Sequence, residues 1–217
     1  MKKLDLTLYL ITDSTNRSEA DFLQTIDAAC QGGVSLVQLR EKERSGLEYF
    51  NLAIKVKKIT DRYGIPLIID DRADIALAAD AGGVHVGQSD LPVYAARKLL
   101  GPGKIVGATA KTVEQAKKAK EEGADYLGVG AIYPTTTKVV TIITEVSTLN
   151  DIGRETNMPI AAIGGLNASN IHVLYDSAAG GIGVVTAIMK SDNPRATAQL
   201  LRKQVLENFK SMRVTQS

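Results

Sequence analysis

Three cations and three carboxylates stand at comparable places along the chain. Arg40 and Lys42 follow one short apolar run, and Lys138 follows another. Asp70 and Asp71 close a third run, and Asp90 lies just past a fourth. Arginine offers a planar fork of donors that matches phosphate oxygens, and lysine offers a compact point charge. Such a set either pairs up as salt bridges or brackets a magnesium-bridged diphosphate. Mg²⁺ prefers one or two carboxylates with phosphate oxygens and water, so the second reading is preferred. No His or Cys cluster suggests zinc. A second polar group consists of Gly164-Gly165 and the stretch from Gly183 to Thr186. Glycine lets a phosphate approach the backbone closely, so this pair suits a monophosphate. Two phosphate sites on one cavity imply two phosphorylated substrates joined with loss of diphosphate.

The elements that must position these groups are legible as a repeat. Eight short apolar runs are the strand candidates: Leu6–Ile11, Leu36–Leu39, Pro66–Ile69, Gly83–Val86, Ile105–Ala108, Tyr126–Val129, Ile160–Ile163 and Ile182–Val185. Their spacing of roughly 25 residues is that of successive β-α units. Being apolar throughout, they read as parallel strands buried on both faces. Between them, Leu52, Val56 and Ile59 recur at helical spacing, and an alanine-rich stripe runs through Thr112–Glu122. Pro194 to Phe209 reads as a closing helix with proline at its start. Glycines at 32–33, 64, 123 and 180–181 are expected to end helices in a left-handed conformation before the next strand. The expected fold is α/β, a single (β/α)8 TIM barrel with parallel strands spanning 1–217. An open doubly wound sheet would usually show a glycine-rich loop after its first strand, where this chain has Thr12-Asp13-Ser14. In a barrel of this kind the chemistry lies at the carboxyl ends of the strands, where all the groups above are found.

Bulk properties set limits. The 217 residues are 44% hydrophobic and 23% charged with a net charge of +2, which gives no electrostatic pull toward nucleic acid or an anionic membrane. Cys30 stands alone, so no intrachain disulfide forms, and it reads as a small buried residue on an early helix. No apolar run reaches the ~18 residues of a membrane span, and no signal-peptide pattern opens the chain. A cytoplasmic enzyme is the expectation, and a homo-oligomer is left open. His85, inside a strand and facing either the barrel interior or the helix layer, and His172, on a late helix, are both read as structural. The lysines at 117, 118 and 120 read as a solvated face.

Taken in order, several motifs identify the chain as resembling the thiamin phosphate synthase family from about Leu8 to Phe209. They are Leu8-Tyr9-Leu10-Ile11-Thr12-Asp13, Val37-Gln38-Leu39-Arg40-Glu41-Lys42, Asp70-Asp71-Arg72, His85-Val86-Gly87-Gln88-Ser89-Asp90, Pro134-Thr135-Thr136-Thr137-Lys138 and Ile163-Gly164-Gly165. The resemblance implies that hydroxymethylpyrimidine diphosphate ionises and that the pyrimidine carbocation is trapped by the nitrogen of a thiazole phosphate. It implies Mg²⁺ as cofactor, with Asp71 and Asp90 as its ligands. It places Gln38, Leu39, Arg40, Glu41, Lys42, Asp70, Thr109 and Lys138 at the pyrimidine-diphosphate site. Thr135, Thr136, Thr137, Gly165, Val185 and Thr186 fall at the thiazole-phosphate site.

The chain departs from the family pattern in three places. Asp70 stands where the family usually has Asn, and Thr109 where Ser is common. The β-branched stretch from Val139 to Thr144 replaces a Lys-Asp-Ala-like loop and is expected to form a short strand or a lid segment. Among rival readings, a thiazole tautomerase-like isomerase resembles the family in fold but uses a histidine where this chain has Lys111. A non-catalytic thiamin-ligand-binding barrel is expected to have lost Lys138 or the Asp71/Asp90 pair, which are present. A phosphosugar isomerase would need a strand-end acid–base pair such as Glu/His, which is not found.

Overall fold

The computed structural model describes residues 4–135 and 142–209. Eight parallel strands close on themselves in chain order: β1 (Leu8–Ile11), β2 (Leu36–Leu39), β3 (Leu67–Asp70), β4 (Gly83–Val86), β5 (Ile105–Ala110), β6 (Tyr126–Gly130), β7 (Ile160–Ile163) and β8 (Gly181–Val184). The last pairs with the first in the register Tyr9 to Gly183. The expected barrel is therefore present, and the expected strands agree with the observed ones to within two residues at each end.

Side chains alternate across each strand, and this decides what reaches the site. Leu8 and Leu10 of β1, Val37 and Leu39 of β2, and Leu67 and Ile69 of β3 point outward into the layer shared with the helices. Tyr9, Ile11, Leu36, Ile68, Tyr126 and Ala161 point inward and form a separate core inside the barrel. The inward set includes two tyrosines, and the strands beside them give way. A Cβ on Gly107 would lie 2.2 Å from Cζ of Tyr126, so glycine at that place makes room for the ring.

The outer layer comprises α1 (Glu19–Gln31), α2 (Gly46–Arg62), α3 (Ala73–Ala78), α4 (Val93–Leu100), α5 (Val113–Glu121), α6 (Val146–Thr156), α7 (Thr186–Met189) and α8 (Pro194–Asn208). Local sequence starts them. Ser45 and Glu48 form a reciprocal capping box at α2, and Ser18 and Thr112 cap α1 and α5 through their hydroxyls. Pro194 opens α8 behind the Asn193 cap. Their apolar stripes face the strands: Leu52, Val56 and Ile59 of α2 are buried, as are Ala116 and Ala119 of α5. Each large apolar side chain so buried stabilises the fold by about 1.5–3 kcal/mol. Cys30 is buried on α1 as expected, and burial pushes its thiol up to about 12. The lysine face of α5 is tied to solvent-side partners, with Lys117 paired to Glu155 at 2.8 Å.

Two expectations are corrected. Gly33, Gly64 and Gly123 do take positive φ at helix ends, but Gly32, Gly180 and Gly181 do not. Between β7 and β8 the chain forms only a 3-10 turn, Ile171–Leu174, which also holds His172. Gly181 instead serves close packing, since a Cβ there would lie 1.8 Å from the carbonyl oxygen of Leu6.

Candidate active site

A cavity of about 310 Å³ opens at the carboxyl ends of the strands. The β2 segment shows how alternation sorts its residues. Gln38, Arg40 and Lys42 line the cavity, while Leu39 and Glu41 do not. Leu39 belongs to the outer layer, where its carbonyl accepts from the Tyr49 hydroxyl at 2.6 Å. Glu41 turns to Ser14 and Arg44, at 2.7 and 2.9 Å.

At the end of β3, two consecutive carboxylates face the same cavity, which simple alternation forbids. The backbone resolves this: Asp71 has φ 60°, and its N–H donates to the carbonyl of His85 at 2.8 Å. The turn brings Asp71 round beside Asp70. Lys42 bonds to the carboxylate of Asp71 and lies 3.2 Å from that of Asp70, while Nε of Arg40 lies 3.7 Å from Asp70. Burial and the neighbouring Asp71 push Asp70 up to about 6 against the pull of Lys42 and Arg40. Burial opposes the charge on Lys42, but Asp71 and Asp70 outweigh it and raise its affinity for the proton.

Asp90 completes the acidic group from the loop after β4. Its Oδ2 accepts from the Gly87 N–H at 2.9 Å. Burial first, then a hydrogen bond to Asp71, raise the Asp90 carboxyl above its usual range. Two carboxylates this close relieve their repulsion by sharing a proton or a cation. Among the described residues no three His, Cys, Asp or Glu side chains converge as a metal cluster. A cation between Asp71 and Asp90 would therefore draw its other ligands from substrate oxygens and water, a set that fits Mg²⁺.

The opposite wall belongs to strands six to eight. Thr135, Gly164, Gly165, Val185 and Thr186 line it. Gly165 sits at φ 64°, and its carbonyl is held by Nδ2 of Asn170 at 2.9 Å. Ile163 is the large side chain here, packed against bare backbone: a Cβ on Gly128 or Gly183 would meet it at 2.8 or 2.9 Å. Thr136, Thr137 and Lys138 lie outside the described residues, as does the part of the Val139–Thr144 stretch before Ile142. Ile142 and Ile143 are exposed, and Thr144 returns the chain to the barrel by donating its N–H to Ala131 at 2.8 Å.

Among the cavity residues that sequence reasoning passed over are His85 and Lys111. His85 faces inward, with Nε2 3.0 Å from the Thr109 hydroxyl, and Lys111 lines the mouth past β5. The parity of β4 was the available signal: its outward residues are Val84 and Val86, which leaves His85 inside.

The model of the family described as thiamine monophosphate synthase matches residues 8–188. The chain belongs to this family. A thiamine-phosphate synthase of Methanobrevibacter smithii is 48% identical over 204 residues, covering 94% of this chain and 97% of its own. Thiamine-phosphate synthase 2 of Streptococcus pneumoniae is 48% identical over 205 residues, covering 94% and 98%. In the solved thiamine phosphate pyrophosphorylase of Pyrococcus furiosus the same fold recurs with a TM-score of 0.86 and 33% identity, over 94% of this chain and 98% of that one. Membership in the thiamine monophosphate synthase family makes the chain a transferase of thiamine biosynthesis. The acidic and basic groups of β2 to β4 thus belong to a transferase of this family.

Proposed function

We propose that the whole chain is one barrel domain that joins hydroxymethylpyrimidine diphosphate to a thiazole phosphate, releasing diphosphate and forming thiamine phosphate. The observation that supports this most is the division of the cavity. Arg40, Lys42, Asp70, Asp71 and Asp90 gather on one side, and Gly165, Val185 and Thr186 form the other.

The chemistry follows from that division. The C–O bond of the pyrimidine methylene breaks, and diphosphate leaves with the electron pair. The thiazole nitrogen then gives its lone pair to the methylene carbon to form the C–N bond. Arg40 and Lys42, with Lys138, neutralise charge that grows on the leaving oxygens, where fixed cations act most strongly. Asp71 and Asp90 would hold Mg²⁺, which supplies further positive charge to the diphosphate when bound. Gln38 and Thr109 contact the pyrimidine portion, and the backbone at Gly165 and Thr186 receives the thiazole phosphate. The closed floor of the barrel limits water that would otherwise capture the carbocation. We place the enzyme in the cytoplasm, acting on free small molecules. No helix among the described residues is long and apolar enough to cross a membrane.

The test is a coupled assay with both substrates and Mg²⁺, reading thiamine phosphate and diphosphate together. Asp90→Asn is expected to lower turnover roughly 10²-fold or more. If the wild-type protein binds both substrates yet forms no product with Mg²⁺ present, the reading is wrong.

A further inference from the structure

A continuous hydrogen-bonded chain crosses the barrel beneath the cavity. Nε2 of Gln38 donates to Oη of Tyr9 at 2.7 Å. The hydroxyls of Tyr9 and Tyr126 are 2.7 Å apart. The Tyr126 hydroxyl is 3.0 Å from Nδ1 of His85, and Nε2 of His85 is 3.0 Å from Oγ1 of Thr109. Both tyrosines are wholly buried and touch no part of the cavity, whereas Gln38, His85 and Thr109 line it. The chain therefore begins and ends at substrate-facing residues on β2 and β5, and its middle is hidden.

Proton counting gives this chain a direction. Each phenol has one proton to donate, and a neutral imidazole has one. Tyr9 accepts from Gln38, so its own proton goes to Tyr126. Tyr126 then donates to Nδ1, and the ring proton sits on Nε2 and goes to Thr109. Thr109 is left with its hydroxyl proton to offer the cavity, and Gln38 with its Oε1 as acceptor. The Gln38 amide, with Nε2 turned to Tyr9, sets this direction, so Gln38 accepts from the ring and Thr109 donates to it. Burial pushes both phenols above their ordinary range, so the tyrosines keep their protons.

From this, and resting on the proposed synthase reading, we infer that Tyr9, Tyr126 and His85 are positioning residues that lock Gln38 and Thr109 into opposite hydrogen-bonding character and so select a heteroaromatic ring that offers a donor to one and an acceptor to the other. An aminopyrimidine has that pattern, with an exocyclic N–H beside acceptor ring nitrogens. A ring with an oxo group in place of the amino group has it reversed along that edge.

Tyr126→Phe keeps the ring and removes the central oxygen, and Tyr9→Phe does the same one link away. The experiment compares kcat/KM for the amino and oxo forms of the pyrimidine diphosphate in the full-length protein. Wild type is expected to favour the amino form roughly 10²-fold or more. Each folded variant is expected to lose at least about tenfold of that preference, while KM for the thiazole phosphate changes less than about twofold. A purely structural role would lower activity on both rings alike and leave the ratio standing, and that result overturns the inference.

The wild-type protein supplies a second readout if the variants do not fold. It has two histidines, and His172→Gln assigns their nitrogen resonances. With the pyrimidine diphosphate bound, a neutral His85 protonated at Nε2 supports the chain, and the other tautomer or a mixture overturns it. Wild type forming no thiamine phosphate from either ring is a different failure, which removes the synthase reading itself.

Discussion

Nζ of Lys42 lies 3.2 Å from Oδ2 of Asp70, so a carboxylate of the protein already occupies a cation assigned to the diphosphate. An incoming diphosphate must compete for Lys42 and for Arg40. Asp70→Asn removes that competition and is expected to lower KM for the pyrimidine diphosphate. It also changes stability with pH. The Asp70 carboxyl is raised from 3.8 to about 6, so the folded state holds this proton more tightly than the unfolded chain. That contribution is full below 3.8 and is lost as pH rises through about 6. The Asn variant is therefore expected to be more stable than wild type near neutral pH by roughly 1–3 kcal/mol, with the difference vanishing in acid. Urea unfolding at several pH values measures it, and equal stability at neutral pH would contradict the prediction.

Gly165 makes the thiazole-phosphate wall testable separately. A Cβ at its φ of 64° would lie 2.7 Å from both the Pro134 carbonyl oxygen and Cβ of Tyr133. Gly165→Ala should raise KM for the thiazole phosphate about tenfold or more by displacing this turn, with little change in KM for the pyrimidine diphosphate. Gly64→Ala is the control. It has nearly the same φ, 63°, but nothing within 4 Å, and it lies at the other end of the barrel. It should cost about 1–2 kcal/mol of stability from backbone strain alone and leave both KM values unchanged.

Arg97 tests the division between stability and function. Its guanidinium donates to the carbonyls of Gly101, Lys104 and Gly123 and to Asp125, at distances from 2.5 to 3.1 Å. Asp125 in turn accepts the Val106 N–H at 2.7 Å, tying the clamp to the start of β5. Lysine cannot reproduce this fork. Arg97→Lys is expected to cost about 2–4 kcal/mol by thermal or urea unfolding, while kcat/KM at 25 °C stays at the wild-type value. A large loss of activity in the folded variant would show that this end of the barrel communicates with the site.

The barrel was readable from its sequence because eight apolar runs recur with amphipathic stretches between them. The cavity wall was readable because polar residues such as Arg40, Asp70 and Thr109 stand at the ends of those runs. Face was harder. Leu39 and Glu41 lie within the same motif as Gln38, Arg40 and Lys42, and only the pleat separates them. Asp71 escapes the pleat through a left-handed backbone that an aspartate does not advertise. The Tyr9–Tyr126 contact joins residues 117 positions apart, so no local pattern encodes it. The glycine at 181 misleads for a related reason: it answers to the Leu6 backbone of the segment entering the neighbouring strand β1 rather than to the end of a helix in its own segment.

The packing of Ile163 against Gly128 and Gly183 has a consequence for how such an enzyme could diverge. The charged wall is interlocked, so altering Lys42 or Asp71 disturbs several partners together. The other wall stores its volume in one isoleucine and spares it at two glycines. A lineage acquiring a bulkier or slimmer ring could shorten position 163 and then add a methyl at 128 or 183, or take those steps in the opposite order. Each step is a single small exchange that leaves the charges in place, which makes this face the route of least resistance for new substrates.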